Sequence, residues 1–341
     1  MSFSINYIEC SESLRKEMEH FVNEWNINKE EFIVKTSGST GIPKEIKLSR
    51  NQLIASAKRT NSFFNLNENS HTFNCLPFES IAGKMQVVRA LVGDFKLTVV
   101  DPSRNPFHQL DINEKLDFIP LSPIQLSELI QTKDLKQFKM THFLLGGSQL
   151  SSDLKHEFLA SNLSIFQGYG MTETVSHIAL KKIEDSFYHL LEGVSIHSTE
   201  DKTIISDSIL NIENLEVTDI LNFTSKKEFE FIGRRDYAIN SGGIKIHPEP
   251  IEAFIHETLQ IELVLIGITD SKFGEICVCV SENKLTENQK SLIEEKIRSH
   301  FSSYAVPKRY FQHSIEKGNY GKILRKKIQA EISLILTSKT D

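Results

Sequence analysis

Little in this sequence marks it for a membrane, an oxidising compartment or a nucleic acid. No stretch approaches the roughly 20 consecutive apolar residues that cross a bilayer. The amino-terminal Met-Ser-Phe-Ser-Ile-Asn has no basic region followed by an apolar core, so neither membrane insertion nor a secretory leader is expected. Cysteine is sparse. Cys10, Cys75, Cys277 and Cys279 form no C-x-x-C pair, and reduced thiols in a cytoplasmic protein are expected. Cys277 and Cys279 alternate within an apolar run, which puts both on one face of a strand. The 12 histidines show no H-x-x-x-H or clustered spacing, which argues against a zinc site held by the protein. A net charge of −6, with no long block of one sign, gives no reason to expect a nucleic acid partner.

What is there reads as a soluble globular chain. The 341 residues are 39% hydrophobic and 25% charged, enough for a sizeable core and, by length, two domains. Short apolar runs alternate with helical patterns. Phe32–Val34, Thr72–Pro77, Leu97–Val100, Phe118–Pro123, Thr141–Gly147 and Leu163–Phe166 read as strands. Helices are expected around Ser13–Trp25, from an N-cap at Ser49 to about Phe64, over Lys84–Leu91 and over Ile124–Ile130. This alternation argues for layered α/β structure with a parallel sheet, whose ligands sit beyond the carboxyl ends of the strands. From Tyr188 to Phe231 short alternating strands with Asn, Asp and Ser turns suggest a small β-rich subdomain. A second α+β unit follows Gly233-Arg-Arg-Asp236, with a terminal helix near Lys322. The expected division is 1–235 and 236–341, joined by a short hinge.

Three stretches carry chemistry. The first is Thr36-Ser-Gly-Ser-Thr-Gly-Ile-Pro-Lys44, with four hydroxyl residues and two glycines between a strand and the next element. Glycine lets backbone N–H groups turn towards a ligand, and hydroxyls and a lysine add donors and charge, as a polyphosphate requires. The common phosphate loop is excluded, because Pro43 precedes the lysine and Glu45 follows it. A solvated Ser/Gly loop is the plain alternative. The second is Gly168-Tyr-Gly-Met-Thr-Glu173, with a flat ring between glycines, a hydroxyl and a hard oxygen ligand suited to Mg²⁺; the alternative is a turn with a surface tyrosine. The third runs from Gly233-Arg-Arg-Asp-Tyr-Ala-Ile-Asn-Ser-Gly-Gly to Ile-Glu252.

In order and spacing these three stretches resemble the signatures of the adenylate-forming superfamily, which comprises acyl-CoA synthetases, carrier-protein adenylation domains and luciferases. Two shorter matches are Glu216-Val-Thr-Asp219, with Thr218 in place of the usual glycine, and Gly318-Asn-Tyr-Gly-Lys322, without the usual upstream proline. Gly146-Gly-Ser-Gln149 resembles the family's adenine-side loop, so the likeness spans about residues 31–328. The resemblance implies a large N-terminal domain and a small mobile C-terminal one. It implies ATP, Mg²⁺ and CoA as cofactor and co-substrates. Thr36, Ser37, Gly38, Ser39, Thr40, Gly41 and Lys44 would hold phosphates. Gly147, Ser148, Gly168, Tyr169 and Gly170 would flank the adenine, Thr172 would reach the acyl-phosphate, and Glu173 would hold Mg²⁺. Asp219 would hold the ribose hydroxyls and Arg234 the ribose or a phosphate, Gly242 and Gly243 would line a pantetheine tunnel, Asp236 would be the hinge, and Lys322 would be the adenylation lysine.

The chemistry so implied has two steps. A carboxylate attacks the α-phosphorus of ATP, expelling pyrophosphate, and a thiol then displaces AMP from the acyl-adenylate. Gly170–Leu180, Leu76–Lys84 and Ile239–Lys245 further resemble one branch, the o-succinylbenzoate–CoA ligases of menaquinone synthesis. That aryl acid carries a second carboxylate, for which Lys84 or Arg89 would be the cation, beside Ser176 and His177; the alternative makes both surface charges on a helix. Other readings are an adenylating enzyme for another acid or for a carrier-protein thiol, and a nucleotide-binding relative without catalysis. The chain is short for the family, and a homodimer is one way to close the acyl pocket.

Overall fold

The computed structural model describes residues 3–36, 44–108, 115–132, 134–146, 150, 152–199, 201–318 and 323–337. The first half is built from β1 (Ser4–Tyr7), α1 (Glu12–Asn26), the ribbon β2 (Glu31–Thr36) and β3 (Lys44–Ser49), then α2 (Arg50–Phe63), β4 (His71–Asn74), α3 (Ile81–Gly93) and β5 (Lys96–Val99). It continues with β6 (Phe118–Leu121), α4 (Pro123–Thr132), β7 (His142–Leu145), α5 (Ser152–Ala160) and β8 (Ser164–Gly170). Six of these strands lie side by side, all parallel, in the order β1-β5-β4-β6-β7-β8.

The sheet is sandwiched because its strands are apolar on both faces. Side chains alternate across a strand. Leu97, Val99, Phe118, Leu144 and Phe166 join a core with Leu53, Ala57, Met85 and Val88 from α2 and α3. Their neighbours Phe73, Ile119, Phe143, Leu145 and Ile165 join a second core with Leu126, Leu129 and Phe158 from α4 and α5. The fold is therefore mixed α/β. On α1 the spacing of Leu14, Met18, Phe21 and Trp25 makes one buried stripe, which rests on Phe32 of the ribbon. Arg50 covers the Trp25 ring at 4.0 Å and donates to the Trp25 carbonyl at 2.8 Å.

Beyond β8 the sheet turns antiparallel. It continues through β9 (His177–Lys182) and β10 (Tyr188–Leu190) to β15 (Glu228–Arg234) and β14 (Asp219–Ser225). Thus the β-rich stretch is shared. Only β11 (Val194–Ser198), β12 (Thr203–Asp207) and β13 (Ile212–Val217) form a separate three-stranded sheet. A buried ion pair ties that sheet to α2, with Arg59 Nη1 2.7 Å from Asp207 Oδ2.

The last stretch has its own sheet, ordered β17 (Ile244–Ile246), β16 (Ile239–Ser241), β19 (Gly274–Ser281), β18 (Val264–Asp270), with β20 (Arg309–Gln312) also on β19. Helices α6 (Pro248–Leu259) and α7 (Glu287–His300) cover the face bearing Leu265, Cys277 and Cys279. Both thiols point the same way, as their alternation requires. Helix α8 (Arg325–Thr337) covers the opposite face, with Ile266, Val278 and Val280. It starts at Arg325, three residues past the position expected for the terminal helix. Among the described residues no helix is long and apolar enough to cross a membrane.

Helix α2 begins in a capping box, in which Ser49 Oγ accepts from Gln52 N and the Gln52 side chain accepts from Ser49 N. Ser49→Ala should lower stability by about 1 kcal/mol. Urea unfolding followed by fluorescence of the sole tryptophan, Trp25, beside this cap, measures it.

Candidate active site

The Gly168–Glu173 stretch is not a loop for most of its length. Gly168, Tyr169 and Gly170 are the end of β8, paired antiparallel with β9. Between the strands Thr172–Thr174 make a single 3₁₀ turn. Val175 then adopts φ 65° and ψ −53°, and Ser176 N donates to Thr174 O at 2.7 Å. This is a γ-turn of the strained, positive-φ kind, unusual for a buried β-branched residue. It folds the chain back so tightly that a Cβ on Gly170 would penetrate the Ser176 carbonyl. At Gly168 a Cβ would come within 3.1 Å of His177 Cβ. These glycines make room for the returning strand.

Tyr169 is no surface residue. Its ring is buried among Tyr188 and Phe229, and its hydroxyl donates to Asp219 Oδ2 at 2.7 Å. Burial and the Asp219 carboxylate raise the phenol far above its ordinary value, so it remains a donor. Asp219 and Arg234 are paired across β14 and β15, with Arg234 Nε 4.0 Å from Asp219 Oδ1. Arg234 makes a two-pronged bond to Asp236 at 2.8 and 3.1 Å, and a third bond to Thr218 Oγ1 at 2.8 Å. Thr218, where the family usually has glycine, therefore has a role in orienting the arginine. Burial alone would raise the Asp236 carboxyl. The Arg234 bond and charge, the Thr218 bond and Lys326 outweigh it and hold the carboxyl below its usual range. Lys326 Nζ lies 3.8 Å from Asp236 Oδ2.

On the opposite side of β8–β9, Arg89 is buried to 2% exposure. Its Nη2 donates to Ser176 Oγ at 2.8 Å, and its Nη1 reaches Gln86 Oε1 at 3.4 Å. Among the described residues no carboxylate pairs with it, and its Nε and the neighbouring Gln86 Nε2 have no hydrogen-bond partner. Burial pushes its pKa down to about 9, which leaves it charged at neutral pH. Ser176 Oγ continues to His177 Nδ1 at 3.2 Å, and His177 Nε2 to Thr60 Oγ1 of α2 at 3.4 Å. Burial, reinforced by Arg89 and Arg59, drives the His177 pKa well below the ordinary value.

Lys84 does not join this group. Its ammonium donates to the Phe78 carbonyl at 2.9 Å and sits 4.1 Å from the centre of the Phe78 ring. It borders a cleft of about 790 Å³ with Glu17, Phe21, Glu24 and Phe32. Burial lowers its pKa against the pull of Glu17 and Glu79. Neither cation is a plain surface charge on a helix, and they serve different places because helix positions five apart diverge. Gln86 and Thr60 went unread in the sequence. The buried stripe of α2, at Leu53, Ser56, Ala57 and Thr60, mixes apolar and polar residues, so no apolar periodicity marked it.

Lys44 opens β3 opposite Thr36, the last residue of its antiparallel partner β2. Ser37, Gly38, Ser39, Thr40 and Gly41 lie outside the described residues, as do Gly147, Ser148 and Lys322. Thr172 and Glu173 are half-buried. Gly242 and Gly243, at φ 59° and 82°, form the two-residue tip of the β16–β17 hairpin. That turn demands positive φ at both positions. A Cβ on Gly242 would also meet Tyr304 at 2.7 Å. Among the described residues no three His, Cys, Asp or Glu side chains gather as a metal cage.

A strand-end cluster of Tyr, Asp and Arg beside a Thr-Glu turn fits the comparison with known proteins. The chain belongs to the AMP-binding enzyme family, whose model matches residues 12–200, and so to the AMP-forming acyl-CoA ligases. Among curated relatives, 2-succinylbenzoate–CoA ligase of Staphylococcus epidermidis is 26% identical over 348 aligned residues, covering 92% of this chain and 72% of the relative. Among solved structures, an acyl-CoA synthetase (AMP-forming)/AMP-acid ligase II-like protein from Dyadobacter fermentans is 31% identical with a TM-score of 0.62, over 95% of this chain and 96% of that one. The o-succinylbenzoate CoA synthetase of Bacillus subtilis, solved with its acyl-adenylate intermediate, has a TM-score of 0.71 over 87% of this chain and 68% of that one. At 18% identity the last likeness is one of fold.

Two outcomes follow from the hairpin. Gly170→Ala should destabilise the protein by about 2 kcal/mol or more, read as a lowered urea midpoint. His177 is neutral when folded and takes up a proton when unfolded below about pH 6.5. Stability is therefore full above that pH and declines as pH falls towards the lowered folded pKa, by up to about 1.4 kcal/mol per unit. His177→Gln should lose less stability than wild type between pH 7 and pH 5, measured by urea midpoints at both.

Proposed function

We propose that this protein is an ATP-dependent acid–thiol ligase that activates an aromatic dicarboxylic acid, o-succinylbenzoate, and passes the acyl group to CoA. The observation that carries the substrate is Arg89. A buried guanidinium without a carboxylate is costly. An acid with a second carboxylate would supply the missing partner, and the unpaired Arg89 Nε and Gln86 Nε2 are donors for it. The 26% identity to a 2-succinylbenzoate–CoA ligase supports the same acid.

In this reading the aliphatic carboxylate attacks the α-phosphorus of ATP and pyrophosphate leaves. Tyr169 and Asp219 bound the nucleoside side, with Arg234 beside them. Lys44, Thr36 and residues 37–41 hold phosphates, Gly147 and Ser148 flank the adenine, Thr172 holds an acyl-phosphate oxygen of the adenylate and Lys322 neutralises charge as it builds. Glu173 has no hydrogen-bond or ion-pair partner among the described residues, which suits a single carboxylate ligand for Mg²⁺ carried in with the phosphates. That ion would offset charge on the leaving pyrophosphate. Residues 236–341 then turn about Asp236 to bring the Gly242–Gly243 tip, and the pantetheine thiol, to the adenylate.

Pyrophosphate release from ATP–Mg²⁺ tests the proposal, with o-succinylbenzoate, benzoate or a fatty acid, each with and without CoA. The expected result is CoA-dependent turnover with the diacid alone. Turnover with another acid instead overturns the substrate; none with any acid from a folded preparation overturns the enzyme. Arg89→Met should keep the fold, since an unpaired buried charge is replaced by a similar apolar volume. It should raise KM for the diacid about tenfold or more.

A further inference from the structure

Arg89 does not set its own orientation. Its outer nitrogen rests on Ser176 Oγ, and that hydroxyl is the first link of a buried chain to helix α2. The direction of every hydrogen in the chain follows from its far end. The Thr60 hydroxyl has one proton, and the nearer acceptor is the Ser56 carbonyl at 3.1 Å, one helical turn back. Thr60 Oγ1 therefore accepts from His177 Nε2–H. The neutral imidazole then presents a bare Nδ1, which accepts the Ser176 proton. Ser176 Oγ, its proton committed, accepts from Arg89 Nη2. Thr60 is 1% exposed, His177 7% and Ser176 half-buried, so water is kept from the Thr60–His177 end, where the directions are set.

We propose that Thr60 and His177 are positioning residues that hold Ser176 as an acceptor and thereby fix the Arg89 guanidinium with its remaining donors turned to the substrate's second carboxylate. The proposal rests on the diacid reading of the site. It removes Ser176 and His177 from direct contact chemistry and makes them act through Arg89. With the chain broken, Ser176 can rotate and offer its own proton, and the guanidinium loses the support that keeps it aimed. The loss then falls on recognition of the second carboxylate rather than on the reacting end.

The test compares o-succinylbenzoate with 4-oxo-4-phenylbutanoate, the same acid without the ring carboxylate, in wild type, Thr60→Val and Thr60→Ser. Valine keeps the volume and removes the hydroxyl; serine restores it. Thr60→Val should raise KM for the diacid about fivefold, the worth of one buried hydrogen bond. It should leave kcat for the diacid and KM for the monoacid unchanged, and Thr60→Ser should recover the wild-type value. Histidine ¹⁵N spectra of the ligand-free wild type, with His177 assigned by His177→Gln, should show a protonated Nε2 and a bare Nδ1. A wild type that prefers the diacid while Thr60→Val prefers it equally overturns the positioning role alone, as does an Nδ1-protonated His177. A wild type that does not distinguish the two acids overturns the diacid reading and the role with it.

Discussion

A single guanidinium, Arg89, held in the apolar layer between α3 and β9 with no carboxylate beside it among the described residues, sets the terms for that side of the sheet. Two other buried arginine sites among the described residues are paired. Arg59 meets Asp207, and Arg325 meets Glu252 at 2.6 and 2.8 Å. Those pairs hold elements together, the first linking α2 to the three-stranded sheet and the second linking α8 to α6. Arg89 is different in that its partners are neutral. A neutral hydroxyl and amide lessen the cost of burial without satisfying the charge, and the deficit remains available to an anion.

The geometry that brings Ser176 to Arg89 comes from the turn between β8 and β9. The strained backbone at Val175 and the missing side chain at Gly170 let two strands close on each other within a few residues. The same closure puts Tyr169 on one side, towards Asp219 and Arg234, and Ser176 and His177 on the other. One hairpin thus separates the Tyr169–Asp219–Arg234 group from the Ser176–His177–Arg89 group by the alternation of a strand. The residues of either side cannot drift relative to the other without breaking the sheet.

Much of this could be read from the chain, and the limits have physical causes. The layered α/β fold was visible because strands buried on both faces are apolar throughout and helices carry their own caps, as Ser49 does. The grouping of Tyr169, Asp219 and Arg234 followed from ordered motifs, since each lies at or near the end of a strand, with Asp236 in the 3₁₀ turn that follows Arg234. The different fates of Lys84 and Arg89 were not visible. Both are cations on one short helix, and what distinguishes them is contact with Ser176, 87 residues further along the chain from Arg89. Thr60 was hidden for a similar reason, since threonine in a polar-looking helix declares nothing until its neighbour across the interface is known. The occupied left-handed conformations at Gly242 and Gly243 show the reverse case. A pair of glycines that suggested a tunnel wall also has a purely local reason to be there.

The sole tryptophan lies under Arg50, between α1 and the β2–β3 ribbon. Its emission is therefore a local gauge. It registers melting of the amino-terminal layer, and a guanidinium stacked on its face makes it sensitive to any loosening of α2. The sheet and helices after residue 236 contain no second indole. A rotation or separate melting of that unit would pass unseen in tryptophan fluorescence, and an optical account of this protein built on that signal alone would describe one end of it.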